Sequence, residues 1–299
     1  MKLPTHGRYD YVPITKRPVY DWPEGKRLAV FLCNNIEHFA FGAGLGADPA
    51  GGASPQNQSN YAWRDYGNRV GIWRLFDLLD ELRLPAAHCT NSLVYRYAPQ
   101  ITDAIRRRGD EVVAHGRTNA ENLRGLWAPD EERLIREVTD TLRGHEGAPP
   151  QGWMGAGAYE TGNTLDLLKA LGYRYVMDWP MDDQPVWLRT KGGPLLSVPY
   201  PIETDDAQSI VHRKYTGRDF CDIVVAQFDE MVEQCERHPL VMNVSVHPYI
   251  FGHPYQVHFL RRALSHCMAH AKAGRVWWTR PRDIAAHCLQ LPPGTVPGG

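Results

Sequence analysis

The stretch Arg27 to Asn35 reads RLAVFLCNN, an apolar run that follows the turn-like Pro23-Glu24-Gly25 and ends in two asparagines. A short apolar run between turn residues is typical of a strand that is buried on both faces, as in a parallel sheet. In parallel α/β folds, the residues just beyond the carboxyl end of a strand form the ligand site. We therefore expect the segment after Asn35 to belong to a functional site.

Strand-like and helix-like stretches alternate along the rest of the chain. The further predicted strands are Pro85 to Cys89, Glu111 to His115, Gly152 to Gly155, Tyr173 to Asp178, Leu240 to Val246 and Arg275 to Trp278, and a proline-rich stretch with Leu195 to Val198 follows the strand that ends at Asp178. The predicted helices are Val70 to Leu82, Ala98 to Arg108, Pro129 to Arg143, Asn163 to Leu171, Arg218 to Arg237 and Gln256 to Ala273. About eight such alternations predict an α/β fold, a distorted (β/α) barrel. We expect a single domain at 27–290, an N-terminal arm at 1–26 and a C-terminal tail at 291–299.

The composition is that of an ordinary globular protein. Of the 299 residues, 43% are hydrophobic and 22% are charged, and 33 basic against 34 acidic residues leave a formal charge of -1. This balance gives no reason to expect a nucleic-acid partner. The six cysteines are far apart in sequence, as in reduced cytosolic proteins, and neither a signal peptide nor an apolar run of membrane-spanning length is found. We expect a cytoplasmic protein that is not bound to a membrane.

A long segment without periodicity follows the first predicted strand. Ala40 to Asn60 is rich in Gly, Ala, Ser and Asn. Loops of this length in a globular domain are usually functional lids or disordered segments. We expect a lid over the barrel mouth.

Three strand ends carry motifs that resemble a known family. They read Asn34-Asn35-Ile36-Glu37-His38, His115-Gly-Arg-Thr-Asn119 and Val244-Ser245-Val246-His247-Pro248. Their order and spacing resemble the polysaccharide deacetylase superfamily, over nearly the whole chain from about Arg27 to His287. Further motifs look like the branch that contains metal-independent allantoinases and cyclic imide hydrolases. These are Gly152-Trp153, Asn163-Thr164-Leu165-Asp166-Leu167-Leu168 and Asp182-Asp183-Gln184-Pro185-Val186-Trp187.

The chain departs from the deacetylase pattern at its metal ligands. In those enzymes one aspartate is the general base, while a second aspartate and two histidines hold a zinc-like ion. Here Glu37 stands for the metal-binding aspartate, Ile36 occupies the base position and Asn119 replaces the second histidine. Asparagine is a poor ligand for a zinc-like ion. We therefore expect no cofactor and no required metal.

The resemblance and the strand ends assign three catalytic residues. Glu37, partly desolvated and so expected to have a raised pKa, would be the general base. His115 would orient the attacking water or stabilise the developing oxyanion. His247 would protonate the leaving nitrogen, which suits amide cleavage. For each of the three, a purely structural role is the alternative.

Four further residues are substrate-binding candidates. Asn119 either contacts substrate or caps the next helix. Asp183 forms a like-charge pair with Asp182 that either raises one pKa or is simply solvated. Trp153 and Trp179 either line a pocket for a flat ring or pack in the core.

The leading hypothesis is a hydrolase that opens the ring of a small cyclic amide, ureide or imide without a required metal. A metal-dependent N-deacetylase of an acetylated sugar is the second hypothesis, and a ligand-binding barrel without catalysis is the third. The expected partner is the small-molecule substrate. The resemblance to allantoinases also implies a homo-oligomer, in which the N-terminal arm would form a contact.

Overall fold

A computed structural model describes residues 3–42 and 58–299. Residues 43–57, most of the segment in which a lid was expected, lie outside the described residues, so that expectation stays a prediction. The strands are β1 (Leu28–Ile36), β2 (Ala86–Thr90), β3 (Glu111–Ala114), β4 (Gly152–Trp153), β5 (Tyr175–Val176), β6 (Val186–Leu188), β7 (Leu195–Ser197), β8 (Leu240–Val246) and β9 (Val276–Trp278).

Helices follow most of the strands and cover the outside of the sheet. They are α1 (Gln58–Tyr66), α2 (Ile72–Leu82), α3 (Val94–Tyr97), α4 (Pro99–Arg108), α5 (Ala128–Glu146), α6 (Thr164–Ala170), α7 (Gly217–Gln234), α8 (Pro248–Phe251), α9 (Pro254–Ala269) and α10 (Pro281–Cys288). Proline at the first turn of α5, α9 and α10 suits a helix start, because the first N–H groups of a helix have no partner within it. The short helices α1, α3, α8 and α10 and the short strands β6 and β7 were not predicted from the sequence.

The strands form one curled, mostly parallel sheet in the order β6-β7-β5-β4-β3-β2-β1-β8, with β9 paired to the start of β1. Only the β6-β7 pair is antiparallel within the described residues. The edge at β8 meets the segments that flank β6 and β7. Val241 donates a backbone hydrogen bond to the Asp183 carbonyl, and Asp205 forms a parallel bridge with Ser245. The predicted single-domain, distorted (β/α) barrel is thus confirmed.

Alternation along β1 explains why polar residues enter the barrel at its carboxyl end. Successive side chains of a strand point to opposite faces. Ala29, Phe31 and Cys33 pack in the barrel interior, whereas Leu28, Val30 and Leu32 pack against the outer helices. The interior face of this strand therefore continues with Asn35 and Glu37.

The first residues of the chain pack against the barrel. Arg8 pairs with Asp166, and Arg17 forms a bidentate pair with Asp182. Trp22 is buried and donates its indole N–H to the Leu240 carbonyl at 3.1 Å. The arm thus contacts its own barrel, and the oligomer that it was expected to support remains a prediction.

The cysteines have the environment that their spacing predicts. All six are free thiols and all are buried. No helix in the described ranges combines the length and the apolar character that crossing a bilayer requires.

Candidate active site

The carboxyl ends of β1, β3 and β8 carry four of the predicted site residues to one cavity. Glu37 follows β1, His115 and Asn119 follow β3, and His247 follows β8, and all four line a cavity of about 490 Å³. A cavity of this volume, open to solvent on one side, fits a small molecule.

Four side chains surround the Glu37 carboxylate, which is only 6% exposed. Oε2 accepts a hydrogen bond from the Tyr249 hydroxyl at 2.9 Å, and Oε1 accepts one from the side-chain amide of Asn119. Nε2 of His247 lies 3.4 Å from Oε1, and Nε2 of His115 lies 3.6 Å from it. Glu37 is thus the centre of the site.

The pKa of Glu37 is lowered, and the expectation that it is raised was wrong. Burial by itself raises the pKa of this carboxyl, but the nearby rings of His247 and, to a smaller extent, His115 outweigh burial and lower the pKa to about 2. The sequence revealed the burial but not the partners, because they come from other strands. At neutral pH Glu37 is ionised.

His247 is held by a buried carboxylate on the side away from Glu37. Its Nδ1 lies 2.6 Å from Oδ1 of Asp206, and its backbone N–H donates to Oδ2 of the same residue at 2.8 Å. Burial favours the neutral ring, but Asp206 and Glu37 raise the pKa of His247 well above its usual value. Burial raises the pKa of Asp206 itself to about 6, against the opposing effect of His247. At neutral pH His247 is therefore an imidazolium that lies between two carboxylates, Glu37 and Asp206.

His115 is oriented by the backbone of the neighbouring strand. Its Nδ1 lies 2.6 Å from the Met154 carbonyl oxygen, so this nitrogen carries a hydrogen and donates it. The other ring nitrogen, Nε2, is buried and has no hydrogen-bond partner among the described residues. A buried nitrogen without a partner at the edge of a cavity is available to a bound molecule.

A second polar network lies beside Glu37 and was missed from the sequence. Asn35 donates to the Tyr200 hydroxyl at 3.0 Å and to Oγ of Ser245 at 2.8 Å, and Ser245 donates to Asp205 at 3.1 Å. Asn35, Tyr200 and Asp205 line the cavity. Ile36, in the position that the resemblance gives to the base, instead packs outward in an apolar cluster.

Close backbone packing fixes the segment that carries His247 and Tyr249. A Cβ on Gly71 would lie 2.1 Å from the Pro248 carbonyl oxygen, and one on Gly252 would lie 2.2 Å from Cα of Gly71. Contacts this short leave no space for any side chain. Two glycines therefore let the turn before α2 lie directly against α8 at the floor of the cavity.

Three of the predicted substrate-binding residues lie outside the cavity lining. Trp153 is fully buried and packs edge-on against Tyr173 in the outer core. Trp179 packs against Tyr9 and donates its indole N–H to the Glu160 carboxylate at 3.0 Å. The Asp183 carbonyl accepts the Val241 N–H near the start of β8, at the end of that strand away from His247.

Those three positions are explained by structural roles that the sequence left open. The indoles fill the spaces between the sheet and the outer elements, and the backbone of Asp183 helps to close the barrel. The neighbour of Trp179, Asp178, does line the cavity, and burial raises the pKa of its carboxyl well above the usual value, with Glu160 adding repulsion. Its Oδ1 accepts the Gly155 N–H at 2.7 Å.

The donor set between Glu37 and His115 does not fit the zinc-like ion that the superfamily resemblance implies. Oδ1 of Asn119, its ligand-type atom, accepts a hydrogen bond from Asn91 at 2.8 Å, so that the amide N–H of Asn119 points at Glu37. An amide N–H group has no lone pair to offer a metal. Within the described residues, three ligand-type groups come within 4.8 Å of one another at Asp205, Asp206 and His247, and not around Glu37.

The Asp205, Asp206 and His247 group is already satisfied by hydrogen bonds. Nδ1 of His247 and both oxygens of Asp206 bond to each other or to the His247 backbone. Asp205 accepts from Ser245 and from the Gln208 N–H. We therefore assign these residues to the positioning of His247.

Known proteins share both sequence and fold with this chain. No family model matches it. A Schizosaccharomyces pombe protein whose description reads "Putative polysaccharide deacetylase" is 25% identical over 278 residues, which are 87% of this chain and 85% of that protein. The crystal structure of PuuE allantoinase superposes with a TM-score of 0.80 at 24% identity and covers 89% of this chain and 91% of its own.

A third similar structure comes from Pseudomonas aeruginosa PAO1 and is described as "probable Polysaccharide deacetylase". It has a TM-score of 0.78 at 24% identity and covers 89% of this chain and 92% of its own. The alignments cover the barrel almost from end to end. The resemblance inferred from the strand-end motifs is thereby confirmed: the chain is similar in sequence and in fold to the polysaccharide deacetylase superfamily.

Proposed function

We propose that the protein is a hydrolase of carbon-nitrogen bonds other than peptide bonds, and that it opens the ring of a small cyclic amide, ureide or imide without a required metal. The observation that carries the proposal is the buried row of Glu37, His247 and Asp206 at the floor of a small cavity. An ionised carboxylate beside an imidazolium is the pair that acid-base hydrolysis of an amide needs. The likeness to a protein named as an allantoinase agrees with this chemistry.

In the proposed reaction, Glu37 takes a proton from a water that attacks the ring carbonyl. The His247 imidazolium gives its Nε2 proton to the ring nitrogen, which then leaves as an amine or amide. An amide nitrogen leaves poorly unless it is protonated, so the acid is as necessary as the base. Asn119 and Tyr249 hold Glu37 in place, and Nε2 of His115 is free to orient the water.

The lowered pKa of Glu37 is compatible with its role as base. Glu37 is a weak base only while His247 is charged, because the imidazolium is a main cause of the shift. As His247 gives up its proton, that stabilisation disappears and the carboxylate becomes more basic. When the product has left, Glu37 can return the proton across the 3.4 Å that separates its Oε1 from Nε2 of His247. The resting ion pair is then restored.

Activity is expected to persist in a strong chelator. Asn119 presents an N–H group rather than a ligand atom to Glu37, so the purified protein should hold well under one zinc-like ion per chain. Elemental analysis measures the metal content, and the melting temperature with and without chelator provides a readout that does not depend on substrate. One tightly held transition metal per chain, or activity that is lost on chelation and restored by zinc, would contradict this proposal.

Small cyclic amides are expected to be turned over, and acetylated sugar oligomers are not. A cavity of about 490 Å³ suits a single ring better than an extended polymer. The panel is allantoin, hydantoin, dihydrouracil, succinimide and maleimide beside N-acetylglucosamine oligomers, scored by ring opening and by acetate release. Allantoin and the oligomers should be run at the same enzyme concentration, with Glu37→Gln as the inactive control.

N-deacetylation of a sugar is the second candidate function. It is favoured by the descriptions of the Schizosaccharomyces pombe and Pseudomonas aeruginosa proteins. Acetate release from the oligomers, with every ring compound inert, would establish this second function in place of the first.

A further inference from the structure

One arginine, Arg124, stands at the mouth of the cavity. The guanidinium of Arg124 lies over the Tyr159 ring, with its central carbon 4.3 Å from the ring centroid, and both residues line the cavity. No carboxylate among the described residues forms an ion pair with Arg124. Stacking on a tyrosine restricts the side chain while its N–H groups stay free to donate.

The two loops that carry this pair are well fixed. Leu123, beside Arg124, is buried in the core, and the Arg124 backbone N–H donates to the Asn122 side chain at 2.9 Å. The loop with Tyr159 follows β4 and turns through Gly157 with a φ of +67°. The stacked pair is therefore built across the cavity mouth by loops from neighbouring strands.

The other charges of the cavity lie deeper or are already paired. Glu37 and Asp205 lie at the floor with the hydrogen-bond partners described above, and Asp178 is buried beside Gly155. Glu121 is paired with Arg117 at the rim. Besides tyrosines, the remaining ionisable residues of the lining are His115, His212 and His247. An anionic group would be repelled by the carboxylates of the floor and attracted at the mouth.

We propose that Arg124, stacked on Tyr159, binds a carboxylate on the substrate. The inference rests on the proposed function and deepens it: the ring amide that this enzyme opens carries a carboxylate-bearing substituent. The substituent stays at the mouth with Arg124, and the ring carbonyl faces Glu37 and His247. A planar guanidinium can donate two parallel hydrogen bonds to a carboxylate, which fixes orientation as well as affinity.

The test compares hydantoin with 5-carboxymethylhydantoin in wild-type protein and in Arg124→Gln. The carboxylated ring should have the higher kcat/KM, and the variant should lower that advantage by about tenfold, mainly through KM. Arg124→Lys should retain part of the kcat/KM advantage of the carboxylated ring. The matched control is Arg96→Gln, which removes another exposed arginine that lies over a tyrosine, Tyr97, outside the cavity lining.

Equal kcat/KM for both rings, unchanged in Arg124→Gln, would overturn the inference. If no ring compound is turned over, the proposed function is wrong. The carboxylate subsite is then tested by binding measurements alone. Calorimetric titration of 5-carboxymethylhydantoin should then show tighter binding to wild-type protein than to Arg124→Gln, with the difference reduced by salt. Equal affinities, or no binding to either protein, would refute the carboxylate subsite.

Discussion

Replacing His247 with alanine is expected to lower kcat by about 10²- to 10⁴-fold, as for the loss of a general acid. The leaving nitrogen would have to depart without a proton, and Glu37 would lose the charge that keeps it ionised at low pH. Glu37→Gln should have an effect of the same order because it removes the base. The double variant should be less impaired than the product of the two effects, since both residues serve one proton transfer. Steady-state kinetics on the best compound of the panel gives these values.

The protein also offers a matched control for this experiment. His266 pairs with Asp229 at 2.7 Å, much as His247 pairs with Asp206 at 2.6 Å, but on the exposed side of α9. His266→Ala should leave kcat unchanged. His247→Gln, which keeps a polar side chain, guards against misfolding of the alanine variant, and both should be checked by circular dichroism. Near-normal turnover in folded His247→Ala would place the chemistry elsewhere.

Asp206→Asn is expected to lower kcat by about a hundredfold or more, although Asp206 does not line the cavity. The carboxylate accepts from both the ring and the backbone of His247 and raises the pKa of that ring. An asparagine could still accept one hydrogen bond, but it would supply no negative charge. The imidazole would then be less often protonated and less firmly oriented.

The pH profile distinguishes this role from a merely structural one. His247 must be protonated to act as acid, so kcat should fall as pH rises through its raised pKa. In Asp206→Asn this fall of kcat on the alkaline side, the alkaline limb of the profile, should occur at lower pH, because one cause of the raised pKa of His247 has been removed. On the acid side, Asp206 gains a proton as pH falls through its pKa of about 6, so an acid limb near that value should vanish in the variant. Asp229→Asn should alter neither limb.

A lower kcat with both limbs unmoved would mean that Asp206 supports the fold alone. Thermal melting of Asp206→Asn and Asp229→Asn, measured under the same conditions, shows whether stability changes together with activity. A variant that melts normally and still loses its acid limb would support the positioning role.

The sequence predicts the fold well because the fold depends on local patterns. The apolar run of β1 and the helical spacing before Leu82 are readable without tertiary information. Alternation along β1 also places Glu37 on the interior face. The strand-end rule then selects His115 and His247, and the structure brings both to the same cavity.

The rest of the site could not be predicted from the sequence, because it depends on contacts between distant segments. Asp206 follows no predicted strand, and it reaches His247 only where the segment after β7 meets β8. The direction of the Glu37 pKa shift required knowledge of its neighbours. Tyr249 lies only two residues after His247, so its closeness in sequence to a recognised motif could have indicated a role in the site. Tryptophan content alone cannot distinguish a core indole from a cavity wall.

The close contact between Gly71 and the α8 segment makes the floor of the cavity intolerant of substitution, whereas the mouth tolerates it. Any side chain at Gly71 or Gly252 would push α8 and shift Tyr249, so the chemistry and the stability of this region must change together. Arg124 and Tyr159 project from exposed loops, where surface substitutions usually cost little stability. Evolution, or a directed library, can therefore change the residues at the mouth while Glu37 and His247 are inherited unchanged.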